Sequence, residues 1–279
     1  MDRLRAACVQ FCAGPDKAEN VARMEPLVER AAALGAGLVL LPEKWSAASD
    51  GEELRRQAEA LDGGPALAAM SAWAHRHGVV LVGGSLAVEA GERVENLCPV
   101  FDAGGELVAR YTKIHLFDVD VGGFSYRESA ITAPGAEPVV VDAGGARIGL
   151  SVCYDLRFPE LYAALALAGA ELLTVPANFT LATGMAHWEV LLRARAIETG
   201  AYVLAAAQHG HPGGGRRPSY GHSMIVDPWG TVLAQAPDGD GVVVADLDGA
   251  AQRDLRARLP SLAHRRPDAY AALLQAPTA

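Results

Sequence analysis

Apolar residues follow two patterns along the chain, and the two patterns alternate. Short continuous apolar runs are typical of strands that are covered on both faces, whereas apolar positions that repeat every three or four residues predict helices. In the first half of the chain, strands are predicted at 4–10, 38–41, 79–86, 94–101 and 106–112, and helices at 15–34, 52–61 and 66–77. The turn sequence at 102–105, Asp-Ala-Gly-Gly, predicts that the last two of these strands form a hairpin.

The same alternation returns in the second half of the chain. Strands are predicted at 139–141, 147–152, 172–175, 201–207, 222–226, 231–234 and 242–246, and helices at 158–168 and 187–199. Since strands and helices alternate in both halves, the sequence predicts an α/β protein whose sheets are covered by helices.

No linker rich in Pro, Ser or charge separates the two halves. We therefore predict one domain of two similar halves over residues 1–246, followed by a C-terminal extension of the same domain over residues 247–279. The extension carries several arginines between Arg253 and Arg266. It is either a loosely packed surface element or an arm that packs on a neighbouring subunit.

Composition and charge narrow the class of partner. Hydrophobic residues make up 51% of the 279 residues and charged residues 20%, as in a globular protein with a large buried core. The 24 Lys and Arg against 33 Asp and Glu give a formal net charge of −9, which repels nucleic acids and anionic membranes. The longest apolar runs, at 31–42 and 161–170, are shorter than the roughly 18 residues of a membrane span. A small-molecule partner is predicted, with no nucleic acid and no membrane.

The N-terminus lacks a sustained apolar segment with a small-residue cleavage site, so we predict a cytoplasmic protein. Its cysteines are irregularly spaced and too few to crosslink a chain of this length, and reduced thiols are expected. His209, His211 and His222 lack a second ligand cluster of suitable spacing, and no phosphate-loop or dinucleotide-binding motif is present. We therefore expect no metal and no cofactor.

Three ionisable residues appear where apolar strands end. Glu43 follows Pro42, Lys113 follows the second strand of the hairpin, and Cys153 follows the strand predicted at 147–152. Ligands of open α/β sheets usually bind at the carboxyl ends of strands. A Glu, a Lys and a Cys that meet there would form a nucleophilic site, with Glu43 as base, Lys113 as the cation that stabilises an oxyanion, and Cys153 as nucleophile.

Taken singly, each of these residues has a structural interpretation as well. A cysteine after a strand is more often a small buried apolar residue, and a Glu or Lys at a strand end is usually solvated or paired. Spacing alone does not bring the three together, so this pattern indicates a hydrolase only as a hypothesis.

Longer motifs around these residues resemble the nitrilase superfamily, the carbon-nitrogen hydrolases, over almost the whole chain. The motifs are Pro-Glu at 42–43, KIHLFD at 113–118, CYDLRFPE at 153–160, HWEVLLRARAIET at 187–199 and YGHSMIVDPWG at 220–230. The resemblance implies a four-layer αββα sandwich with a Glu-Lys-Cys triad. In that triad Cys153 is the nucleophile, Glu43 the general base and acid, and Lys113 the cation that stabilises the oxyanion.

The resemblance also implies further site residues. Glu128 matches a second glutamate of the family, which would hold Lys113 and orient the substrate amide. Arg157 matches an arginine that binds a substrate carboxylate in related amidases. From the residues alone, a structural pair with Asp155 or Glu160 is equally open. Three more residues are predicted to line the pocket: Tyr154, Asn178 and Phe179. A glycine-rich loop at 209–218 either closes over the site, with Arg216 or Arg217 facing a peptide carboxylate, or is an exposed connection.

Within the superfamily, the last two motifs look like the Nit branch, which contains deaminated glutathione amidases and omega-amidases. This implies hydrolysis of an amide of a small 2-oxo acid through a thioester acyl-enzyme, most closely deaminated glutathione giving 2-oxoglutarate and Cys-Gly. The alternatives are an omega-amidase acting on 2-oxoglutaramate, another amidase or N-carbamoyl amidohydrolase of the superfamily, and a catalytically silent scaffold. The family also implies a homodimer or a higher homo-oligomer.

Overall fold

The computed structural model describes residues 1–121, 124–215 and 217–270. Within these residues, no helix is both long enough and apolar enough to cross a membrane. Two large sheets, each covered by helices on one face, account for most of this part of the chain.

The first sheet is built from the first half of the chain, with one strand from near the C-terminus. Its strands are β1 Arg3–Gln10, β2 Leu38–Leu40, β3 Val80–Val82, β4 Leu86–Ala90, β5 Arg93–Phe101, β6 Leu107–Thr112, β9 Thr132–Ala133 and β18 Gly241–Asp248. The central path runs in the order β18-β1-β2-β3-β5-β4, and β6 and β9 also pair with β5. Strands β1, β2 and β3 are parallel, so their carboxyl ends lie at one edge of the sheet.

The second sheet is built from the second half of the chain, in the order β10-β11-β12-β13-β16-β17. Its strands are β10 Val140–Ala143, β11 Ala146–Leu150, β12 Leu172–Ala177, β13 Tyr202–Ala207, β16 Met224–Val226 and β17 Val232–Gln235. Strands β11, β12 and β13 are parallel, so this sheet also gathers three carboxyl ends at one edge.

Helices cover the outer face of each sheet and leave the inner faces in contact with each other. The helices are α1 Lys17–Ala33, α2 Gly51–Arg56, α3 Pro65–His77, α4 Pro159–Leu167, α5 Leu181–Thr199 and α6 Gly249–Arg258. Alternate residues of β1 show the layering, since Ala7 and Val9 pack under α1 and α3 while Ala6 and Cys8 face the second sheet. The arrangement confirms the predicted αββα sandwich.

The predicted strand at 79–86 is wrong as a single element. The chain forms β3 and β4 instead, with Gly83 and Gly84 between them. Gly84 has φ 66°, and a Cβ there would lie 2.0 Å from the carbonyl oxygen of Pro42. Only glycine permits this close approach of two backbones beside the first strand-end residue, Glu43.

Two helix boundaries also differ from the prediction. Helix α5 begins at Leu181, six residues before the predicted start at 187, and α2 ends at Arg56 rather than 61. Gly184 lies inside the missed first turn of α5, and a Cβ there would lie 2.3 Å from the Tyr220 side chain. A close helix contact therefore explains a glycine that weakens the helical pattern of the sequence.

The C-terminal part of the chain, as far as it is described, packs on its own sheet. Strand β18 pairs with β1 along its whole length and runs across the predicted boundary between residues 246 and 247. In α6, Gln252 donates to the carbonyl oxygens of Glu171 and Gly200, and Arg256 donates to those of Gly200 and Ala170. Up to Arg258, these contacts correct the interpretation as a loosely packed element, because the buried Gln252 and the half-buried Arg256 anchor α6. The division into two parts stays a prediction.

Two short hairpins were absent from the sequence prediction. One consists of β7 Asp118–Val121 and β8 Phe124–Arg127, and the other of β14 His209–Gly210 and β15 Ser219–Tyr220. Both lie beside the carboxyl ends of the parallel strands and contribute residues to the cavity described below.

Candidate active site

Glu43 lies just beyond the carboxyl end of β2, in a backbone bridge with Ser85. Its side chain is buried, with 3% of the residue exposed. The buried amide of Gln208, beyond β13 of the other sheet, donates to the carbonyl oxygens of Glu43 at 3.0 Å and Lys44 at 3.1 Å. The backbone that carries Glu43 is therefore fixed by both sheets.

Lys113 follows the last residue of β6 and is almost fully buried. Its Nζ donates to Glu43 Oε1 at 3.0 Å and to Glu128 Oε2 at 2.9 Å. Asn96 of β5 joins the same two carboxylates, donating to Glu43 Oε1 at 3.0 Å and Glu128 Oε1 at 3.1 Å. The backbone N–H of Phe117 donates to Glu128 Oε2 at 2.8 Å. The structure thus places Lys113 between two carboxylates whose orientations are set by other donors.

Cys153 follows β11 and has φ 49°, in the left-handed region that a non-glycine residue rarely adopts. Asp155 holds this turn, since its Oδ2 accepts hydrogen bonds from the backbone N–H of Val152 at 2.8 Å and from the Tyr111 hydroxyl at 2.7 Å. Its Oδ1 accepts from the backbone N–H of His115 at 3.0 Å. The buried carboxylate therefore ties the turn of Cys153 to the segment that follows Lys113.

The Cys153 thiol faces Glu43 and the backbone N–H of Asn178. Burial raises the pKa of this thiol well above its usual value, and the charge of Glu43 raises it further, although Lys113 acts in the opposite direction. Cys153 is therefore a neutral thiol in the free protein near neutral pH. The Glu43 carboxylate, which also accepts from the Asn178 N–H at 2.8 Å, is in position to take the thiol proton.

The buried charges hold one another in their ionised forms. Burial acts to lower the pKa of Lys113, but the charges of Glu128 and Glu43 outweigh it and hold that pKa well above its usual value. Burial acts to raise the pKa of Glu128, but Lys113 and Lys44 outweigh it and lower the pKa to about 2. Lys113 therefore stays a cation and Glu128 an anion across the physiological pH range.

A cavity of about 400 Å³ opens onto these residues. It brings together Glu43, Lys113, Glu128 and Cys153, which the sequence predicted as one site. The four predicted substrate-binding residues line it as well: Tyr154, Arg157, Asn178 and Phe179. All eight predicted site residues therefore line one cavity, and the role of each residue stays a prediction.

Arg157 lies at the wall of this cavity. Its guanidinium carbon is 5.2 Å from the centre of the Phe179 ring and 5.8 Å from that of Tyr154, and its Nη1 lies 3.2 Å from His187 Nδ1. Among the described residues it forms no ion pair with Asp155, whose oxygens serve the turn of Cys153. The aromatic rings hold the guanidinium where a planar anionic group can reach it.

The loop at 209–218 contributes to the cavity rim through Pro212, Gly215, Arg217 and Pro218. The Arg217 guanidinium lies 5.9 Å from the centre of the Tyr126 ring. Arg216, the other predicted arginine, lies outside the described residues.

A family model for carbon-nitrogen hydrolases matches residues 5–257. The chain belongs to this family. This carbon-nitrogen hydrolase is 46% identical over 277 residues to the deaminated glutathione amidase of Bos taurus, a match that covers 96% of this chain and 83% of the other. The family model and this match confirm the resemblance inferred from the motifs.

Solved structures of the nitrilase superfamily have the same fold. The NitFhit protein of C. elegans matches with a TM-score of 0.90 and 38% identity, over 97% of this chain and 66% of that longer chain. The amidase of Nesterenkonia sp. AN1 matches with a TM-score of 0.82 and 29% identity, over 96% of each chain. In that mutant amidase, the acetamide moiety of fluoroacetamide is covalently added at the active-site cysteine.

The structure of this carbon-nitrogen hydrolase adds residues that the sequence did not single out: Lys44, Asn96, Tyr126, Asp155 and Gln208. The sequence contained signals for two of these residues. Asn96 is a polar residue inside an apolar strand, and Lys44 is a second charged residue directly after Glu43. Gln208 gave a weaker signal at the end of an apolar strand. Among the described residues, no group of three or more His, Cys, Asp or Glu side chains is placed to hold a metal ion.

Proposed function

We propose that this carbon-nitrogen hydrolase is a cysteine-dependent amidase that hydrolyses the amide bond of deaminated glutathione, giving 2-oxoglutarate and Cys-Gly. The observation that carries the proposal is the convergence of the Cys153 thiol, the Glu43 carboxylate and the Lys113 ammonium on one cavity, with Glu128 behind the ammonium. Its sequence relative of 46% identity is named for that activity.

In the first step, Cys153 attacks the amide carbon while its proton moves to Glu43. A neutral thiol beside a carboxylate favours a proton transfer that accompanies the attack over a thiolate formed beforehand. The bond from Sγ to carbon forms, and the carbonyl becomes an oxyanion. Lys113 then supplies the positive charge for that oxyanion, together with the backbone N–H groups of the turn after Cys153.

In the second step, the carbon-nitrogen bond breaks and Glu43 returns its proton to the leaving amine. This leaves a thioester between Cys153 and the acyl group. A water molecule that gives a proton to Glu43 attacks the thioester, the acid is released, and the thiol is restored with that same proton. The cysteine of the Nesterenkonia amidase carries the acetamide moiety of fluoroacetamide, which supports a nucleophilic cysteine at the corresponding position of this chain.

The cavity charges support an anionic substrate despite the net charge of −9. Four cations line the cavity against three carboxylates, and Lys113 serves the reaction itself. Arg157 is suited to bind one substrate carboxylate, because its guanidinium is held between aromatic rings at the cavity wall. Phe179 and Tyr154 supply apolar surface for the carbon chain of the substrate.

The test compares kcat/KM on deaminated glutathione and on 2-oxoglutaramate, with the Cys153→Ala variant as blank. We expect turnover of both with a preference for the first, and loss of at least about 10⁴-fold in the variant, which loses its nucleophile. Circular dichroism checks that the variant is folded, and Cys98→Ala, which removes a buried cysteine outside the cavity, is the matched control. Wild-type rates in Cys153→Ala would refute the mechanism, and rejection of both amides by an enzyme that still hydrolyses other amides would refute the substrate.

Two further parts of the proposal concern the whole protein. We propose that it acts in the cytoplasm, where a free cysteine nucleophile stays reduced. We also propose that it is a homodimer or a larger homo-oligomer, and large apolar residues exposed on and near α5 support this: Met185, Val190, Ile197 and Trp229.

A further inference from the structure

Lys44, directly after Glu43, presents an ammonium group to the cavity that the mechanism above does not use. Its side chain is 10% exposed, and the residue lines the cavity. Its one ion pair within the described part of the chain is with Glu128 Oε1 at 3.9 Å, which is beyond hydrogen-bond distance. A buried ammonium group has three N–H donors to satisfy, and the neighbouring groups Tyr126, Glu128 and Glu43 act on this one through their charge.

Glu128 does not need Lys44 as a hydrogen-bond donor. Its Oε1 accepts from Asn96 at 3.1 Å, and its Oε2 accepts from Lys113 at 2.9 Å and from the Phe117 N–H at 2.8 Å. The carboxylate is therefore satisfied without the Lys44 ammonium, whose donors stay available to a molecule in the cavity.

The backbone of Lys44 is built to hold this position. Its φ of 53° lies in the left-handed region, which is unfavourable for a residue with a side chain. The N–H of Lys44 donates to the carbonyl oxygen of Ser85 at 2.8 Å, and its carbonyl accepts from Gln208 at 3.1 Å. These bonds fix the main chain independently of the side chain, so the lysine side chain is not needed for the turn itself.

The charges at the site indicate that the ligand of Lys44 is an anion. Glu43 and Glu128 carry two negative charges beside the reacting cysteine, and Lys113 carries one positive charge. Without Lys44, this buried group would repel a substrate carboxylate; with Lys44, its net charge is zero. Deaminated glutathione has two carboxylates, one on the 2-oxo acid and one on the glycine, and Arg157 accounts for one of them.

We propose that Lys44 is an anion-binding residue that forms a charged hydrogen bond with a substrate carboxylate. The inference rests on the proposed function, since it names how that site would select anionic amides. The two carboxylates of deaminated glutathione offer the same chemistry, and substrate analogues distinguish between them.

The experiment measures kcat/KM of the wild type and Lys44→Met on two pairs of amides. The first pair is 2-oxoglutaramate and 4-oxopentanamide, in which a methyl group replaces the carboxylate of the acid. The second pair is deaminated glutathione and its C-terminal amide, which lacks the glycine carboxylate. Lys17→Met is the matched control, because Lys17 pairs with Glu59 and lies outside the cavity.

We expect Lys44→Met to lose at least about tenfold more kcat/KM on the charged member of one pair than on its neutral partner, mainly through KM. A selective loss in the first pair assigns Lys44 to the 2-oxo acid carboxylate, and one in the second pair assigns it to the glycine carboxylate. Lys17→Met should leave both ratios unchanged. Equal losses on charged and neutral amides in both pairs, or no loss at all, would overturn the inference.

Two controls separate this inference from the proposed function. If Lys44→Met melts at a lower temperature than the wild type, Lys44→Gln repeats the comparison with a polar side chain. If the wild type rejects all four amides, titration calorimetry with glutarate measures the anion site without turnover. A Kd for glutarate that rises at least about tenfold in Lys44→Met upholds the anion site even when the substrate assignment fails, and an unchanged Kd overturns it.

Discussion

At the scale of single residues, the reactivity of this enzyme depends on groups whose charges are set by burial and by one another. Lys113 and Glu128 are held in their ionised forms, whereas Cys153 is held in its neutral form beside Glu43. The thiol of this site thus differs from one that is ionised by a neighbouring cation, because two carboxylates share the Lys113 charge.

This arrangement predicts the pH dependence of the thiol. Because the pKa of Cys153 is raised, its thiolate should be absent below the usual cysteine pKa of about 8.5 and should form only above it. The measurement is the ultraviolet absorbance of thiolate, titrated in the wild type and in Cys153→Ala, with the difference assigned to Cys153. A thiolate step in the difference curve below about pH 7 would contradict this account.

At the scale of secondary-structure elements, the site is an arrangement of strand ends fixed by buried polar side chains. Asp155 is fully buried and accepts from Tyr111, from Val152 and from His115, so it joins the turn after β11 to the segment after β6. Replacing Asp155 by Ala leaves several buried donors without an acceptor.

We expect Asp155→Ala to lower the free energy of unfolding by roughly 3 kcal/mol, since each unsatisfied buried polar group costs about 1–3 kcal/mol. For a chain of this size this lowers Tm by about 5–10 °C, and kcat falls because the turn of Cys153 is released. Asp142→Ala, which removes an exposed carboxylate paired with Arg147, is the control and should leave Tm nearly unchanged. Equal Tm values for Asp155→Ala and the wild type in a thermal melt would show that this carboxylate does not hold the turn.

The elements also show what the sequence could predict. Continuous apolar runs located most strands to within one or two residues, and the rule for strand ends found Glu43, Lys113 and Cys153. The apolar pattern gave wrong element boundaries where tertiary contacts determine the local structure. These places are Gly84, which passes close to the Pro42 carbonyl, and the first turn of α5. Glu128 follows a short hairpin, so only the family resemblance singled it out. Lys44 had a local signal, a second charge directly after Glu43, but its position depends on a contact between the sheets, from Gln208 to the Lys44 carbonyl.

At the scale of the whole molecule, the two sheets gather their parallel strand ends around one cavity, and apolar residues remain on the outer surface. Met185 is 71% exposed and Trp229 is 67% exposed, which is unusual for side chains of this size. Ile197 lies in a second, mainly apolar depression together with Trp229 and Leu259. An oligomer that buries this surface would account for its composition.

The prediction is that light scattering gives a mass of at least about twice the 29.1 kDa of the chain. Ile197→Asp should shift the mass toward that of the monomer, because an unpaired carboxylate would be buried in the interface. Leu107→Asp, which adds the same charge at an exposed apolar residue away from α5, is the control for a charge change alone. A monomeric wild type at micromolar concentration would contradict this prediction.

If amide hydrolysis passes through an acyl group on Cys153, mass spectrometry of the enzyme quenched with acid during turnover of deaminated glutathione detects that group. We expect a 2-oxoglutaryl group on the peptide that contains Cys153, none on a peptide that contains Cys12, and no adduct in Cys153→Ala. Turnover without a modified Cys153 under conditions that trap thioesters, or an adduct that persists in Cys153→Ala, would contradict it.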